Sequence, residues 1–292
     1  MDIRVFDDTR CVLGESPLWD SRLQALYWVD SISGRIYRRG WEWPAAQHWD
    51  LGEEVGCIGL TKMSHMLIVG GRSGILLFDT RDGSKRLLTS PEPDKPLNRL
   101  NDGKVDPTGR FWCGSLQEGQ YAPVGSLWSY EAGGELSCWA SEITIPNALC
   151  WSPDGRRMYF ADSPTRSIDV FDFDPESGGA SNRRLFAHLA QGAGFPDGAT
   201  TDEVGDVWCA NIDGGRVSRF SSAGELAGEL PVPVSRPTCC AFGGPDLQTL
   251  FITSATRRLS VDDLEGQPHA GCVLAVQTST RGRREPLFAL EN

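Results

Sequence analysis

The sequence predicts an all-β protein with the architecture of a six-bladed β-propeller. Three observations support this fold class: a short apolar strand signal recurs six times, turns rich in Asp, Gly and Pro separate the strands, and no helical period persists. The 292 residues include 33 glycines and 18 prolines, which favour frequent turns over long helices. A hydrophobic share of 40% is sufficient for a sizeable core.

Each copy of the repeat contains an apolar strand such as Tyr27-Trp-Val-Asp, followed by a second strand. The copies start at Tyr27, Leu67, Phe111, Tyr159, Val207 and Phe251, so their spacings are 40, 44, 48, 48 and 44 residues. A four-stranded unit of roughly 40–50 residues cannot bury its own faces, and radial repetition solves that problem. Six copies therefore predict six blades.

The segment at residues 3–6 precedes the first copy, and we expect it to help close the ring. No Ser/Gly linker separates the copies, which predicts a single domain over residues 1–292. The structural alternative is a β-sandwich, but that fold does not require a six-fold period.

Composition excludes several classes of partner. The formal net charge of −11 disfavours binding to nucleic acid or to an anionic membrane. The first eight residues contain no apolar run of the kind found in a secretory signal, and no stretch approaches the length of a membrane span. The nine cysteines include no C-x-x-C pair and several lie in apolar strands, which predicts buried, reduced thiols in a cytoplasmic protein. The oligomeric state stays open.

One position of the repeat carries an oxygen-bearing side chain in four of the six copies. These side chains are Glu15, Asn101, Asn147 and Asp197, each five residues before the turn that ends the first strand. The first strand of a propeller blade lines the central channel. We therefore expect the four side chains to converge at one mouth of that channel.

Such a cluster favours a bound divalent cation. Two carboxylates facing each other in a narrow channel repel and lose hydration, and a cation would offset both costs. Carboxylate and amide oxygens, without His or Cys, form a hard ligand set, which favours Ca²⁺, with Mn²⁺, Mg²⁺ and Zn²⁺ as alternatives. The competing interpretation is that these are ordinary turn residues, since Asn and Asp are common before strands.

Several motifs together resemble the SMP-30/gluconolactonase/regucalcin family over residues 11–276. They lie at residues 14–19, 98–109, 182–184, 196–198, 211–216 and 239–244. The resemblance implies a six-bladed propeller that holds a divalent metal in its channel and hydrolyses sugar lactones. It also implies that Glu15, Asn147 and Asp197 are the metal ligands, and that Arg99 and Asn101 contact the substrate.

The segment at residues 117–124 differs from that of the animal family members, which carry a longer segment with an acidic, substrate-contacting residue. Glu118 is the candidate for that role here. We expect this loop to shape the substrate pocket.

The resulting hypothesis is metal-dependent hydrolysis of an aldonolactone to the aldonic acid, a step of sugar catabolism. Hydrolysis needs a nucleophilic water and stabilisation of the developing oxyanion. Asp197 is the candidate catalytic base; alternatively, the water is activated at the cation and Asp197 only positions it. Arg99 would orient the sugar hydroxyls or the carbonyl oxygen. Two other functions stay open: a propeller that binds calcium or a partner without chemistry, and a hydrolase of another ester such as an organophosphate.

Overall fold

Six antiparallel sheets of four strands each form the blades of a propeller in the computed structural model, which describes residues 2–290. Blade 1 contains β2 (Gly14–Asp20), β3 (Ala25–Asp30), β4 (Arg35–Gly40) and β5 (Gln47–Asp50), and blade 2 contains β6 (Val55–Leu60), β7 (Met66–Gly71), β8 (Ile75–Asp79) and β9 (Lys85–Thr89). Blade 3 contains β10 (Asn98–Val105), β11 (Phe111–Gln117), β12 (Gly125–Tyr130) and β13 (Leu136–Ile143), and blade 4 contains β14 (Pro146–Trp151), β15 (Arg157–Asp162), β16 (Ser167–Asp174) and β17 (Gly179–His188). Blade 5 contains β18 (Phe195–Thr201), β19 (Val207–Ile212), β20 (Arg216–Phe220) and β21 (Leu226–Pro231), and blade 6 contains β22 (Pro237–Gly243), β23 (Thr249–Ser254), β24 (Val273–Gln277) and β1 (Ile3–Asp7).

The ring closes through the first strand of the chain. β1 pairs with β24 in an antiparallel register that sets Ile3 opposite Val276 and Val5 opposite Leu274. The innermost strands β2, β6, β10, β14, β18 and β22 contact one another in a closed circle around the channel. The predicted six-bladed propeller and the closing role of the N-terminal segment are confirmed, whereas the single-domain assignment stays a prediction.

The turn signals of the repeat have a structural cause. Asp20, Asp106 and Asp202 each end or follow an innermost strand, and each accepts the backbone N–H two residues later, at 2.8, 2.8 and 3.1 Å. In blades 3 and 5 the second carboxylate oxygen also accepts the indole N–H of Trp112 or Trp208, both at 3.0 Å. The recurring Asp therefore joins the turn to the blade core.

The core lies between the blades. The Trp112 ring of blade 3 lies 6.0 Å from that of Trp151 in blade 4, and the Trp208 ring of blade 5 lies 5.7 Å from that of Phe242 in blade 6. All nine cysteines are free thiols, and eight are buried as expected. Cys138 is exposed, contrary to the prediction, because it lies on β13, the outermost strand of its blade.

After β24 the chain crosses the face opposite the starts of the innermost strands. Gly282 bridges to Asp202 and Phe288 bridges to Thr61, so the tail spans turns of several blades. Phe288 is completely buried. The described residues contain one short α-helix, α1 (Val261–Gly266), and within them no helix has the length and apolarity needed to span a membrane.

Candidate active site

The innermost strands share an irregularity that positions the candidate residues. The pairing register shifts just after Glu15 in β2, just after Asn147 in β14 and around Asp197 in β18. Ser16 and Ala148, the residues that follow the first two, have φ values of 50° and 56° in the left-handed region. Bulges of this kind re-aim side chains and are common beside active sites, and left-handed non-glycine residues also cluster there.

A cavity of about 320 Å³ occupies this mouth of the channel. All six side chains singled out from the sequence line it: Glu15, Arg99, Asn101, Glu118, Asn147 and Asp197. Three of them are almost fully buried, with exposures of 4% for Arg99, 5% for Asn147 and 4% for Asp197. The convergence predicted from the shared repeat position is therefore present in the structure, while the chemical role of each residue stays a prediction.

Hydrogen bonds orient the Asn147 amide. Its Nδ2 donates to Ser163 Oγ at 2.8 Å, and Ser163 in turn donates to the carbonyl of Pro196 at 2.7 Å. The Asn147 Oδ1 accepts from Asn101 Nδ2 at 3.2 Å, which leaves one of its two lone pairs for another partner. The amide nitrogen thus forms a hydrogen bond within the protein, and the amide oxygen can still bind a ligand.

The two carboxylates at the cavity floor are only partly compensated by positive charge, because Arg99 and Arg236 lower the pKa of Glu15 and of Asp197, respectively, by less than burial raises it. Burial raises the pKa of Glu15 well above its ordinary value, and the charges of Asp197 and Asp102 raise it further. Burial likewise raises the pKa of Asp197, and the charge of Asp102 adds to the shift. The ion pairs around the cavity use other acids, and within residues 2–290 neither Glu15 nor Asp197 pairs with a cationic side chain. Both groups therefore favour binding of a positive charge.

Asp102, which the sequence reasoning did not single out, lies beside this pair. Its two oxygens accept the backbone N–H groups of Gly103 and Leu149, both at 2.9 Å. Burial raises its pKa, although those hydrogen bonds act in the opposite direction. Its position directly after Asn101 is the sequence signal that could have found it.

The opposite side of the cavity is built around Glu118. Its carboxylate accepts from Arg99 Nε at 2.7 Å and from an Arg257 nitrogen at 2.6 Å. Burial opposes ionisation, but the hydrogen bonds and charges of these two arginines lower the pKa of Glu118 to about 2. Arg99 also donates to Asn101 Oδ1 at 2.9 Å. In this arrangement Glu118 holds Arg99 in place, and its direct contact with substrate stays a prediction.

The remaining lining residues were missed from the sequence. They include Tyr121, Asp213, Arg236, Arg257 and Arg258. Most belong to connections between the second and third strands of a blade, which in an antiparallel blade lie at the same end as the start of the first strand. The connections in blades 3 and 6 are the longest of these, and their length is the signal that could have identified them.

The donor atoms at the floor suit a hard cation. Across the described residues, no three His, Cys, Asp or Glu side chains are grouped to hold a metal ion. A cation at this floor would therefore rely on the carboxylates of Glu15 and Asp197 together with the amide oxygen of Asn147. Oxygen-only donors of mixed charge are typical of Ca²⁺ and related hard ions.

Comparison with known proteins shows the family to which the chain belongs. A family model described as the SMP-30/gluconolactonase/LRE-like region matches residues 13–256. The chain belongs to this family. It is 39% identical to the 6-deoxy-6-sulfogluconolactonase of Pseudomonas putida over 95% of both chains. It is 37% identical to the L-arabinolactonase of Azospirillum brasilense, over 97% of this chain and 94% of the relative.

Its fold is also similar to that of a solved structure. The calcium-binding protein regucalcin from Agrobacterium tumefaciens superimposes with a TM-score of 0.94 at 28% identity, covering 98% of this chain and 97% of that one. The family and the six-bladed architecture predicted from the sequence are both confirmed.

Proposed function

We propose that this protein is a hydrolase that opens a sugar lactone to the corresponding aldonic acid, with one divalent cation at the cavity floor. Glu15, Asn147 and Asp197 would hold the cation, and Arg99 and Asn101 would bind the sugar. The lactonase relatives from Pseudomonas putida and Azospirillum brasilense support this class of substrate. Ca²⁺ is the favoured ion, and Mn²⁺, Mg²⁺ and Zn²⁺ are the alternatives.

One observation carries the proposal. Two carboxylates with raised pKa values, those of Glu15 and the buried Asp197, lie beside an available amide oxygen, and within residues 2–290 neither forms an ion pair with a cationic side chain. Leaving such charges unpaired is costly, and proteins normally pair them or use them to bind metal. A scaffold that binds neither a cation nor a small ligand has no need for this arrangement at the floor of a cavity.

The cavity also suits a small polyhydroxylated substrate. Its volume of about 320 Å³ lies at the lower end of the range typical of small-molecule sites, which favours a monosaccharide-sized ligand over a polymer. The Arg99 guanidinium lines the cavity and donates to Glu118, to Asn101 and to its neighbour's carbonyl, which fixes its orientation and leaves Nη2 without a hydrogen-bond partner among the described residues. Preorganised donors of this kind bind sugar hydroxyls or the lactone carbonyl oxygen without a further ordering cost.

Asp197 is the residue proposed to move the proton. A water attacks the lactone carbonyl carbon, and an Asp197 carboxylate oxygen accepts the proton that the water loses. As the ring C–O bond breaks, Asp197 returns this proton to the departing ring oxygen, which leaves a hydroxyl and a carboxylic acid. The cation, when bound, supplies polarisation of the carbonyl and a lower pKa for a nearby water. Glu15 and Asn147 would hold the cation together with Asp197.

The test uses metal-stripped protein and a panel of aldonolactones near pH 6.5, with each divalent ion added back separately. We expect acid release that depends on metal and is lost in Asp197→Ala. Asp172→Ala is the matched control, because Asp172 is exposed on β16 away from the cavity and its loss should leave turnover unchanged. Substantial metal-dependent turnover in Asp197→Ala would overturn the assignment of Asp197. Metal binding without turnover of any lactone would instead favour a calcium- or partner-binding propeller, or a hydrolase of another ester such as an organophosphate.

A further inference from the structure

The cavity is divided into an acidic floor and a basic rim. Glu15 and Asp197 lie at the floor, where the proposed cation would neutralise them. Nearer the rim, Glu118 pairs with the buried Arg99 and with Arg257, and Arg258 adds a further positive charge. The fourth arginine of the lining, Arg236, pairs with Asp213 and adds no unpaired charge to the rim. The rim therefore carries an excess of positive charge in a chain whose net charge is −11.

Arg258 is the arginine of this rim without an acidic partner. It is exposed at the cavity mouth, and within residues 2–290 no carboxylate lies within ion-pairing distance of its guanidinium. Its Cζ lies 5.0 Å from the centroid of the Tyr121 ring, which also lines the cavity. The stacked Tyr121 restricts the guanidinium to the mouth and leaves its N–H donors unpaired.

The backbone at this contact is also unusual. Arg258 has a φ of 66° and Tyr121 a φ of 48°, both in the left-handed region that non-glycine residues rarely adopt. They come from the two longest connections at this end of the propeller, those of blades 3 and 6. Strain of this kind persists where the surroundings hold a residue in a functional position. Both loops thus present their side chains to the same opening at an energetic cost.

We propose that the rim binds an anionic group on the sugar, so that the preferred substrate is an aldonolactone with a phosphate, sulfonate or carboxylate at the end remote from the lactone carbonyl. This inference rests on the proposed lactonase function, because it assumes that the carbonyl lies at the floor. A substrate so oriented directs its terminal carbon to the rim. An oxyanion there would receive charge-assisted hydrogen bonds from Arg258, with Arg257 adding to the local positive potential.

The same charge distribution selects against neutral sugars. A neutral lactone would cover the rim and take the Arg258 guanidinium partly out of water without offering it a counter-charge. An anionic substituent avoids that desolvation cost and is attracted to the guanidinium. The preference for anionic over neutral lactones therefore comes from both the penalty on the neutral sugar and the attraction of the charged one. Arg258 is therefore a specificity-determining residue and not part of the hydrolytic machinery.

The kinetic test compares gluconolactone with analogues that carry a phosphate, a sulfonate or a carboxylate at the terminal carbon. In Arg258→Gln we expect kcat/KM for the preferred anionic lactone to fall by about tenfold to a hundredfold, mainly through KM, while kcat/KM for the neutral lactone stays the same or rises. Arg156→Gln is the matched control, because Arg156 is exposed in a turn outside the cavity. The advantage of the anionic lactone should also shrink as the ionic strength is raised.

A binding measurement separates this inference from the lactonase proposal. Calorimetry with gluconate and its terminal phosphate, sulfonate and carboxylate analogues needs no turnover, and all four ligands share the carboxylate at the first carbon. We expect at least one doubly anionic ligand to bind wild type more tightly than gluconate, and to lose that advantage in Arg258→Gln but not in Arg156→Gln. Equal binding of all ligands, or an equal loss in both variants, would overturn the anionic subsite even if neutral lactones are hydrolysed. Absence of any lactone turnover, with the binding preference intact, would overturn only the lactonase proposal.

Discussion

Replacing Asp197 by Asn should stabilise the metal-free protein while it weakens the site. Asp197 is 4% exposed, and burial raises its pKa well above the ordinary value of 3.8. A carboxyl group with a raised folded-state pKa lowers stability as pH rises from its ordinary pKa towards the raised one. Asparagine has nearly the same shape and no charge to desolvate, so the variant avoids this pH-dependent loss.

The size of the effect is bounded by proton uptake. The folded protein can always neutralise Asp197 by binding a proton, which costs about 1.4 kcal/mol for each pH unit above the ordinary pKa. At pH 7 the maximum gain for Asp197→Asn is therefore about 4 kcal/mol, and we expect about 1–4 kcal/mol. The gain should decrease as the pH is lowered and vanish near pH 4.

The assay is urea unfolding of metal-stripped protein between pH 4 and pH 8, repeated with saturating Ca²⁺. An ion at a hundred times its Kd stabilises the folded state by about 2.7 kcal/mol, and the variant should receive less of this because it lacks one ligand charge. When the ion is present, wild type should therefore become more stable than Asp197→Asn, or the stability advantage of the variant should become smaller. A metal-free Asp197→Asn that is less stable than wild type at pH 7 would refute the view that this carboxylate is unpaired and desolvated.

Asp202 in the same blade provides a control of opposite sign. It is completely buried, but its oxygens accept the backbone N–H groups of Val204 and Asp206 at 3.1 and 2.9 Å and the Trp208 indole at 3.0 Å. Asp202→Asn replaces one acceptor oxygen by a donor and should destabilise the protein by about 1–3 kcal/mol, with or without metal. The same Asp→Asn substitution at two buried positions thus tests whether the effect on stability depends on the hydrogen bonds to the carboxylate and not on burial alone.

Three further predictions concern the cavity wall and the tail. Glu118→Gln should destabilise the protein by about 2–3 kcal/mol at pH 7 and by less at pH 3. The reason is that a carboxyl with its pKa lowered to about 2 stabilises the folded state above its ordinary pKa and loses that contribution as pH falls. Urea unfolding at both pH values checks this, and an equal difference in stability between variant and wild type at the two pH values would contradict it. Arg99→Lys should lower kcat/KM for the hydrolysed lactone by about tenfold to a hundredfold, because an ammonium cannot bond to Glu118 and Asn101 together as the guanidinium does. An unaffected kcat/KM would show that catalysis does not use the fixed orientation of the Arg99 side chain. Phe288→Ala should lower the free energy of unfolding, measured in urea, by about 3–5 kcal/mol and leave KM unchanged at low temperature. The completely buried ring stacks on Tyr130 far from the cavity. A large change in KM would show that the tail shapes the site.

The family and its fold were accessible from the sequence because both depend on local, repeated signals. Apolar strands recur at nearly constant spacing, and the recurring Asp residues form turns whose hydrogen bonds are made within a few residues. Glu15, Asn147 and Asp197 could be grouped for the same reason, since an equal position in each repeat becomes an equal height in the ring. The inward direction of the innermost strands follows from the architecture once the number of blades is known.

The sequence alone placed the shared repeat positions at one mouth of the channel, but only the tertiary structure decided which further residues join them and which hydrogen bonds and ion pairs each one forms. Glu118, Arg257 and Arg258 come from connections of unequal length in blades 3 and 6, and no repeat position relates them. Their pairing, and the absence of a partner for Arg258 among the described residues, depend on the path of each loop after the strands have closed the ring. Repetition fixes the floor of the site because blades are equivalent, whereas the rim is specific because the connections between strands are not.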